Sequence, residues 1–309
     1  MTSEYLEKFN QIDFDKIIDH PNILIAANFW DEDRYQAART CYKFMRTIDD
    51  LIDDHKSLNN RISPEEQNWF KKEVNQWLNA VKNLEDVTDP YQKELIKTID
   101  QYRIPHVYLD DFARAMIYDI DNDGFTNLDS FFKYSEGASL APSSIFIHLC
   151  GIRKNKGEFA LPEFNVREST LPCAFFSYLV HIIRDFQKDQ FDSLNYFADD
   201  LILKNGLTRK MLLEIAEGKD ITKGFRELIR EYMNLAEYYR RQTLEKIEKI
   251  SPFLEPRYQL SLHIIYNLYL MVYERIDVDN GTFTTEELNP TAQKIKDRVY
   301  KTIMKFEGQ

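Results

Sequence analysis

Apolar residues recur at helical spacing along almost the whole of this 309-residue chain, and the alternation a strand would need is sparse. Tyr35, Ala38, Tyr42, Met45 and Ile48 make one such stripe, in a helix expected from Asp33 to about Lys56. Ser63-Pro64-Glu65-Glu66 joins a capping box to a proline at the first helical position, so another helix opens there and runs through Trp69 and Trp77. Further helices are expected at about 90–102, 107–120, 126–150, 170–189, 207–217, 222–250, 254–276 and 289–306, with loops at 151–168 and 190–206. No internal repeat is found. Glycine is scarce, nine in all, and no Gly/Ser-rich or proline-rich linker divides the chain. The expectation is an all-α bundle formed by a single domain over residues 1–309.

Two aspartate pairs interrupt the apolar periodicity. Asp49 and Asp53 lie four apart in the segment from Phe44 to Asp54, and Asp185 and Asp189 lie four apart after His181. At that spacing the two carboxylates share a helix face, where like charges cost roughly a few tenths of a kcal/mol. Placing them beside Phe44, Ile48 and Leu51, or after the apolar run 179–183, costs more, because a buried carboxylate needs compensation. With 51 Asp and Glu in the chain, such pairs also arise on solvated faces. Here each pair sits in an apolar helical stretch with an arginine alongside, Arg46 or Arg184. Carboxylate oxygens suit Mg2+, and the guanidinium fork suits phosphate oxygens. Duplicated pairs facing one cavity would hold a metal-bound diphosphate.

The net charge of -11 argues against nucleic acid, whose binding needs a basic face. It would also repel a diphosphate, so cations at the site become a requirement. Cys41, Cys150 and Cys173 show no metal-ligand spacing and read as buried free thiols of a reducing compartment. Met1-Thr2-Ser3-Glu4-Tyr5 lacks the basic start and apolar core of a signal peptide, and no window approaches about 18 uninterrupted apolar residues. A cytoplasmic location is expected. The 21 Phe and 18 Tyr would fill a core and would also suit a channel for a long hydrocarbon. Asp119-Ile120-Asp121-Asn122-Asp123-Gly124 copies the opening of a calcium-binding loop, but its twelfth position is Ser130, where bidentate coordination wants Glu. A helix end and a turn are expected there.

In order and spacing, several segments resemble the squalene and phytoene synthases, the head-to-head prenyl diphosphate condensing enzymes. Tyr42-x-Phe44-x-Arg46-x-x-Asp49-Asp50-x-x-Asp53 resembles the family's first aspartate-rich motif, and Ile182-Ile183-Arg184-Asp185-x-x-x-Asp189 its second. Asn195-Tyr196-Phe197-Ala198-Asp199-Asp200-Leu201 is similar to its tyrosine-leucine-proline segment, with Phe197-Ala198 replacing leucine-proline. Ala115-Met116-x-x-Asp119 resembles its Gly-Met-x-x-Asp stretch, Ser135 to Leu140 its small-residue helix break, and Ile265-Tyr266-x-x-Tyr269-Leu270 a late tyrosine-bearing helix. The resemblance runs from about Asn22 to about Val272. It implies an isoprenoid-synthase fold with a central cavity and Mg2+ held by Asp49, Asp53, Asp185 and Asp189. Arg46 and Arg184 would touch diphosphate, and Asn22, Tyr42, His181 and Tyr266 would contact substrate. It implies two C15 or C20 prenyl diphosphates as substrates and peripheral membrane contact for release of a lipid product. NADPH use stays undecided, because family members that use it also lack a Gly-x-Gly-x-x-Gly fingerprint.

The chain departs from the family pattern in three places. His181 stands where an asparagine usually precedes the second motif. Phe131 aligns with a common tyrosine, whose hydroxyl is missing unless Tyr134 supplies it. The stretch from Asp277 to Pro290 is acidic and neutral where some members place a diphosphate-binding arginine. Two rival readings stand beside this one. A class I terpene cyclase shares fold and first motif, but its second motif usually mixes Asn or Asp, Ser or Thr, and Glu. A non-catalytic assembly or binding protein of the same family would have eroded aspartates, and all four are intact here.

Overall fold

The computed structural model describes residues 3–15, 22–59, 62–82, 87–155 and 158–308; the side chains of Asn22, Asp53, Asp54, residues 57–59 and Asn155 lie outside that description. Helices follow one another with little between them. They are α1 (Glu4–Gln11), α2 (Asn22–Ala27), α3 (Glu32–Asn59), α4 (Pro64–Lys82), α5 (Pro90–Gln101), α6 (His106–Asp121), α7 (Leu128–Ser135) and α8 (Ala141–Gly151). There follow α9 (Val166–Arg184), α10 (Phe186–Phe191), α11 (Asp199–Lys204), α12 (Arg209–Ala216), α13 (Lys223–Ile250), α14 (Pro256–Tyr273), α15 (Thr285–Leu288) and α16 (Ala292–Glu307). Among the described residues the only sheet is an antiparallel pair, β1 (Arg153–Asn155) and β2 (Glu158–Ala160), with Lys154 opposite Phe159. The architecture is the all-α one expected from the periodicity.

Local chemistry sets many of the helix starts. Asp89, Asn127, Asn165, Thr208 and Thr222 each accept a bond from the backbone N–H three residues on. Each cap satisfies a donor the helix cannot, for about 1 kcal/mol. The expected capping box at α4 forms: Ser63 N–H donates to Glu66 Oε2 at 2.8 Å and Glu66 N–H returns a bond to Ser63 Oγ at 3.3 Å.

Four sequence expectations need correcting. The helix expected over 126–150 is divided by a π-helical turn, Glu136–Leu140. Gly137 explains its position, because a Cβ there would lie 2.3 Å from the Asp111 carbonyl oxygen and 2.7 Å from Ala115 Cβ of α6. The helix expected over 170–189 begins earlier and breaks at Asp185, whose ψ of 2° ends α9 before α10 resumes. Helical spacing survives the break: Asp185 N–H donates to His181 O at 2.9 Å and Asp189 N–H to Asp185 O at 2.8 Å. The 151–168 loop contains the β1–β2 hairpin, held by Phe159 packing on Tyr102 at 4.8 Å. The 190–206 loop contains α11, anchored where Asp199 N–H donates to Phe125 O at 2.8 Å.

The core is built around α9, which packs lengthwise on α13 and also touches α8 and α14. It buries Ala174, Phe175, Phe176, Leu179, Val180, Ile182 and Ile183. Lys246 Nζ lies 2.6 Å from Glu168 Oε1, so the C-terminal end of α13 lies beside the start of α9 and the two run antiparallel. The calcium-like segment is, as expected, the end of α6 and a turn: Gly124 takes φ +135°, and Asp121 pairs with Lys71 at 2.6 Å.

Candidate active site

A cavity of about 610 Å³ lies among α3, α6, α8, α9, α13 and α14. Along α9 its wall is formed in turn by Ser169, Cys173, Ser177, His181 and Asp185. At 1.5 Å per residue the cavity therefore follows this helix for roughly 24 Å. Ile247 and Ile250 line it from the C-terminal end of α13, beside the start of α9 and far from Asp185. Among the described lining residues this end carries no charge, with Ser169, Thr170 and Thr243 beside the isoleucines. The other carries the charged motifs.

At the charged end α3 presents Tyr42, Met45, Arg46, Asp49 and Asp50, a stripe at helical spacing. Arg46 Nη1 donates to Asp49 Oδ2 at 2.8 Å, and its Nη2 donates to Asp50. Opposite, the α9–α10 junction presents His181, Asp185, Lys188, Asp189 and Asp192. The C-terminus of a helix favours cations, so a carboxylate at Asp185 needs local compensation. It gets this from Arg184, whose Nε and Nη2 each donate to Asp185 at 2.7 Å, and from His181 Nε2, 2.6 Å from Oδ2. Burial alone would raise the Asp185 pKa, but these two neighbours pull it well below the usual carboxylate range.

Gln187, between the two aspartates, fixes α10 against distant segments. Its Nε2 donates to Ala216 O at 3.0 Å, and its Oε1 accepts from Thr285 N–H at 2.8 Å.

Tyr134, Tyr178, Tyr196 and Tyr269 also line the cavity. Tyr134 donates to Asp119 Oδ2 at 2.5 Å, while Phe131 is fully buried and stacks on Tyr178 with centroids 5.6 Å apart. Tyr134 thus places a hydroxyl on the wall beside the position where Phe131 lacks one. Burial pushes Tyr42 up to about 12 and Tyr134 and Tyr178 well above their ordinary value, so all three stay protonated near neutral pH.

Two of the three cysteines are buried, as expected, but Cys173 is half-buried on the cavity wall. Its apolar surroundings push its thiol up to about 12. The thiolate is the reactive form. Native protein at pH 8 should therefore leave Cys173 largely unalkylated by iodoacetamide over an hour, while denatured protein labels at Cys41, Cys150 and Cys173. Peptide mass spectrometry checks this, and rapid native labelling of Cys173 would contradict it.

Residues 20–296 match the family described as squalene/phytoene synthase. The chain belongs to the squalene/phytoene synthase family. It is a prenyltransferase-type enzyme of the head-to-head condensing class, acting on prenyl diphosphates. Solved structures agree in fold. A dehydrosqualene synthase crystallised with a ligand is 14% identical with a TM-score of 0.70, the match covering 99% of each chain. YisP from Bacillus subtilis strain 168 is 13% identical with a TM-score of 0.62, over 97% of this chain and 99% of that one. Squalene synthase HpnC from Alicyclobacillus acidocaldarius is 10% identical with a TM-score of 0.55, over 81% of this chain and 96% of that one. No curated protein matches the chain. Neither the terpene cyclase reading nor the non-catalytic one finds support in these matches.

For this squalene/phytoene synthase-family chain, the structure brings together Tyr42, Arg46, Asp49, His181, Asp185 and Asp189 around one cavity. Asp53 follows on α3 and Asn22 opens α2, but both side chains lie outside the described residues. Two expected positions fall elsewhere. Arg184 grips Asp185 from behind the wall, and Tyr266 is buried, accepting from Arg240 Nη1 at 3.0 Å. Tyr269, one turn on, takes the cavity-facing place on α14. Asp50, a member of the first motif, also lines the cavity; Lys188, Asp192 and Tyr178 do so without having been expected, although Lys188 lies seven residues after His181 on the same helical stripe.

Among the described residues no three His, Cys, Asp or Glu stand as a ready metal-holding group. Mg2+ is bound through one or two carboxylates and completes its shell with water and substrate phosphates. Asp49, Asp185 and Asp189 offer hard oxygen donors from two sides of the cavity, so the donor chemistry fits that ion.

Proposed function

We propose that this chain couples two C15 or C20 prenyl diphosphates head to head in the described cavity, with Mg2+ held by Asp49, Asp53, Asp185 and Asp189. The observation that carries the reading is the meeting of two carboxylate motifs, from α3 and from the α9–α10 junction, at one end of a cavity whose other end is uncharged among the described lining residues. Mg2+, when bound, would neutralise diphosphate oxygens and make diphosphate a better leaving group. Arg46 adds a guanidinium on the same face as Asp49, positioned for oxygens that gain charge as the C1–O bond breaks. Arg184 acts through Asp185, fixing that carboxylate's direction.

The bonding pair leaves with diphosphate, and the double bond of the second substrate attacks the allylic cation. Tyr42, Phe112, Tyr178 and Tyr269 line the cavity, and aromatic rings there would stabilise a cation and keep water from it. Burial raises the hydroxyl pKa values of Tyr42 and Tyr178, which stay protonated at neutral pH. In this reading the lipid product is unloaded by peripheral contact with a membrane; no described helix is long and apolar enough to cross one.

Incubation with C15 or C20 diphosphate and Mg2+, with and without NADPH, should release inorganic diphosphate and give a product of twice the carbon number by mass spectrometry. The NADPH arm reports whether hydride quenches the final cation. Diphosphate release with only monomeric cyclised product would overturn the reading. EDTA should reduce turnover to background and added Mg2+ restore it; full activity in EDTA would end the metal assignment.

A further inference from the structure

Of the charged groups on this cavity, one pair is built to come apart. Among the described lining residues, Arg46, His181 and Lys188 can carry positive charge, facing Asp49, Asp50, Asp185, Asp189 and Asp192. Arg46 is engaged by Asp49 and Asp50, and Arg184 is committed to Asp185 through two bonds with only 19% of its side chain exposed. Lys188 differs. Its ammonium meets Asp192 Oδ2 at 2.9 Å, and its side chain is 66% exposed. An exposed i,i+4 pair of this kind is worth only a factor of about two in an equilibrium constant. A lysine's charge is compact and rides on a flexible four-carbon stem, so it can turn without moving the backbone.

Position supports the same conclusion. His181, Asp185, Lys188 and Asp192 recur at helical spacing, and the stripe runs unbroken through the Asp185 turn because Asp192 N–H donates to Lys188 O at 3.0 Å. The lysine thus stands between the two carboxylates of the second motif, on the face that a diphosphate held there would meet.

We propose that Lys188 is a movable cation of the diphosphate site, paired with Asp192 at rest and transferring to a diphosphate oxygen when substrate binds. This rests on the function proposed above. An incoming diphosphate carries more charge than Asp192 and offers several oxygens, so it outcompetes a pair this weak. Asp192 is then a competitor for the ammonium, and neutralising it makes Lys188 more available. The two residues should therefore have opposite effects on anion affinity, which a purely structural ion pair would not produce.

The test is calorimetric binding of inorganic diphosphate in the presence of Mg2+, which needs no turnover. Lys188→Ala should weaken diphosphate binding about tenfold, Lys188→Arg should stay within about threefold of wild type, and Asp192→Asn should bind about twofold tighter. Both positions are at least partly exposed, so circular dichroism should show an unchanged fold in all three variants. Equal affinity in wild type and Lys188→Ala would overturn the role of Lys188, as would weaker binding by Asp192→Asn. Failure of the wild type itself to bind diphosphate would overturn this role and the proposed function together.

Discussion

Asp185→Asn and Asp49→Asn should each lower turnover by at least about a hundredfold, the scale of losing one electrostatic stabiliser, but only the first should also weaken the fold. Asp185 holds Arg184 through two bonds, with side-chain exposures of only 16% and 19%. Asparagine would leave that guanidinium without a counter-charge. The expected cost is about 2 kcal/mol, below the ~3–5 kcal/mol of a fully buried pair because both partners keep some solvent. Asp49 pairs with an Arg46 side chain that is 47% exposed, so its loss costs under about 1 kcal/mol. Acid should erase the difference. Because the Asp185 pKa is depressed in the fold, its ionisation stabilises the protein above the unfolded value of about 3.9 and stops doing so as pH falls toward the folded value. The stability gap between wild type and Asp185→Asn should therefore be full at pH 7 and narrow steadily below about pH 4. Steady-state kinetics with Mg2+ and denaturation at several pH values check both parts. An active Asp49→Asn enzyme would remove the first motif from the mechanism.

Gly137→Ala should destabilise the protein by about 3 kcal/mol, the upper part of the usual range for overpacking. The added Cβ would meet the Asp111 carbonyl oxygen at 2.3 Å and Ala115 Cβ at 2.7 Å, and neither can swing aside. The surroundings are also tied down. Arg167 donates to Asp111 Oδ2 at 2.5 Å and to Glu136 Oε2 at 2.8 Å, fastening the π turn to α6. For a chain of this length the melting temperature should fall by about 5 °C. Activity should fall with it below the melting point, because Ala138 and Ser139 of the same turn line the cavity. A variant as stable and active as wild type would mean that α6 and the π turn separate freely.

The long helices were legible because their apolar stripes repeat over many turns, as in α3 and α13. The short elements were not. α2, α11 and α15 are too brief for periodicity to register, and helices of that length form only when packed against neighbours. The π turn left only Gly137 and its small neighbours as a trace, because its cause is the distance to α6. Asp49, Asp185 and Asp189 stood out because their spacing falls in apolar helical stretches with an arginine alongside, and all three line the cavity. Which cation reaches the cavity was not legible in this way. Arg184 and Lys188 lie four apart in sequence, and only burial decides that the arginine turns onto Asp185 while the lysine stays in solvent. Tyr266 and Tyr269 posed the same ambiguity, resolved by the Arg240 bond that holds Tyr266 off the wall.

The second motif is not a portable cassette. Its short helix is pinned through Gln187 to a carbonyl 29 residues downstream and to an amide 98 residues downstream. Transplanting the Arg184–Asp189 sequence into another helical scaffold would carry the carboxylates without the grips that aim them. For the same reason, chain swaps between relatives should avoid a single junction between α10 and α15, which would part Gln187 from the backbone at Thr285 that it holds.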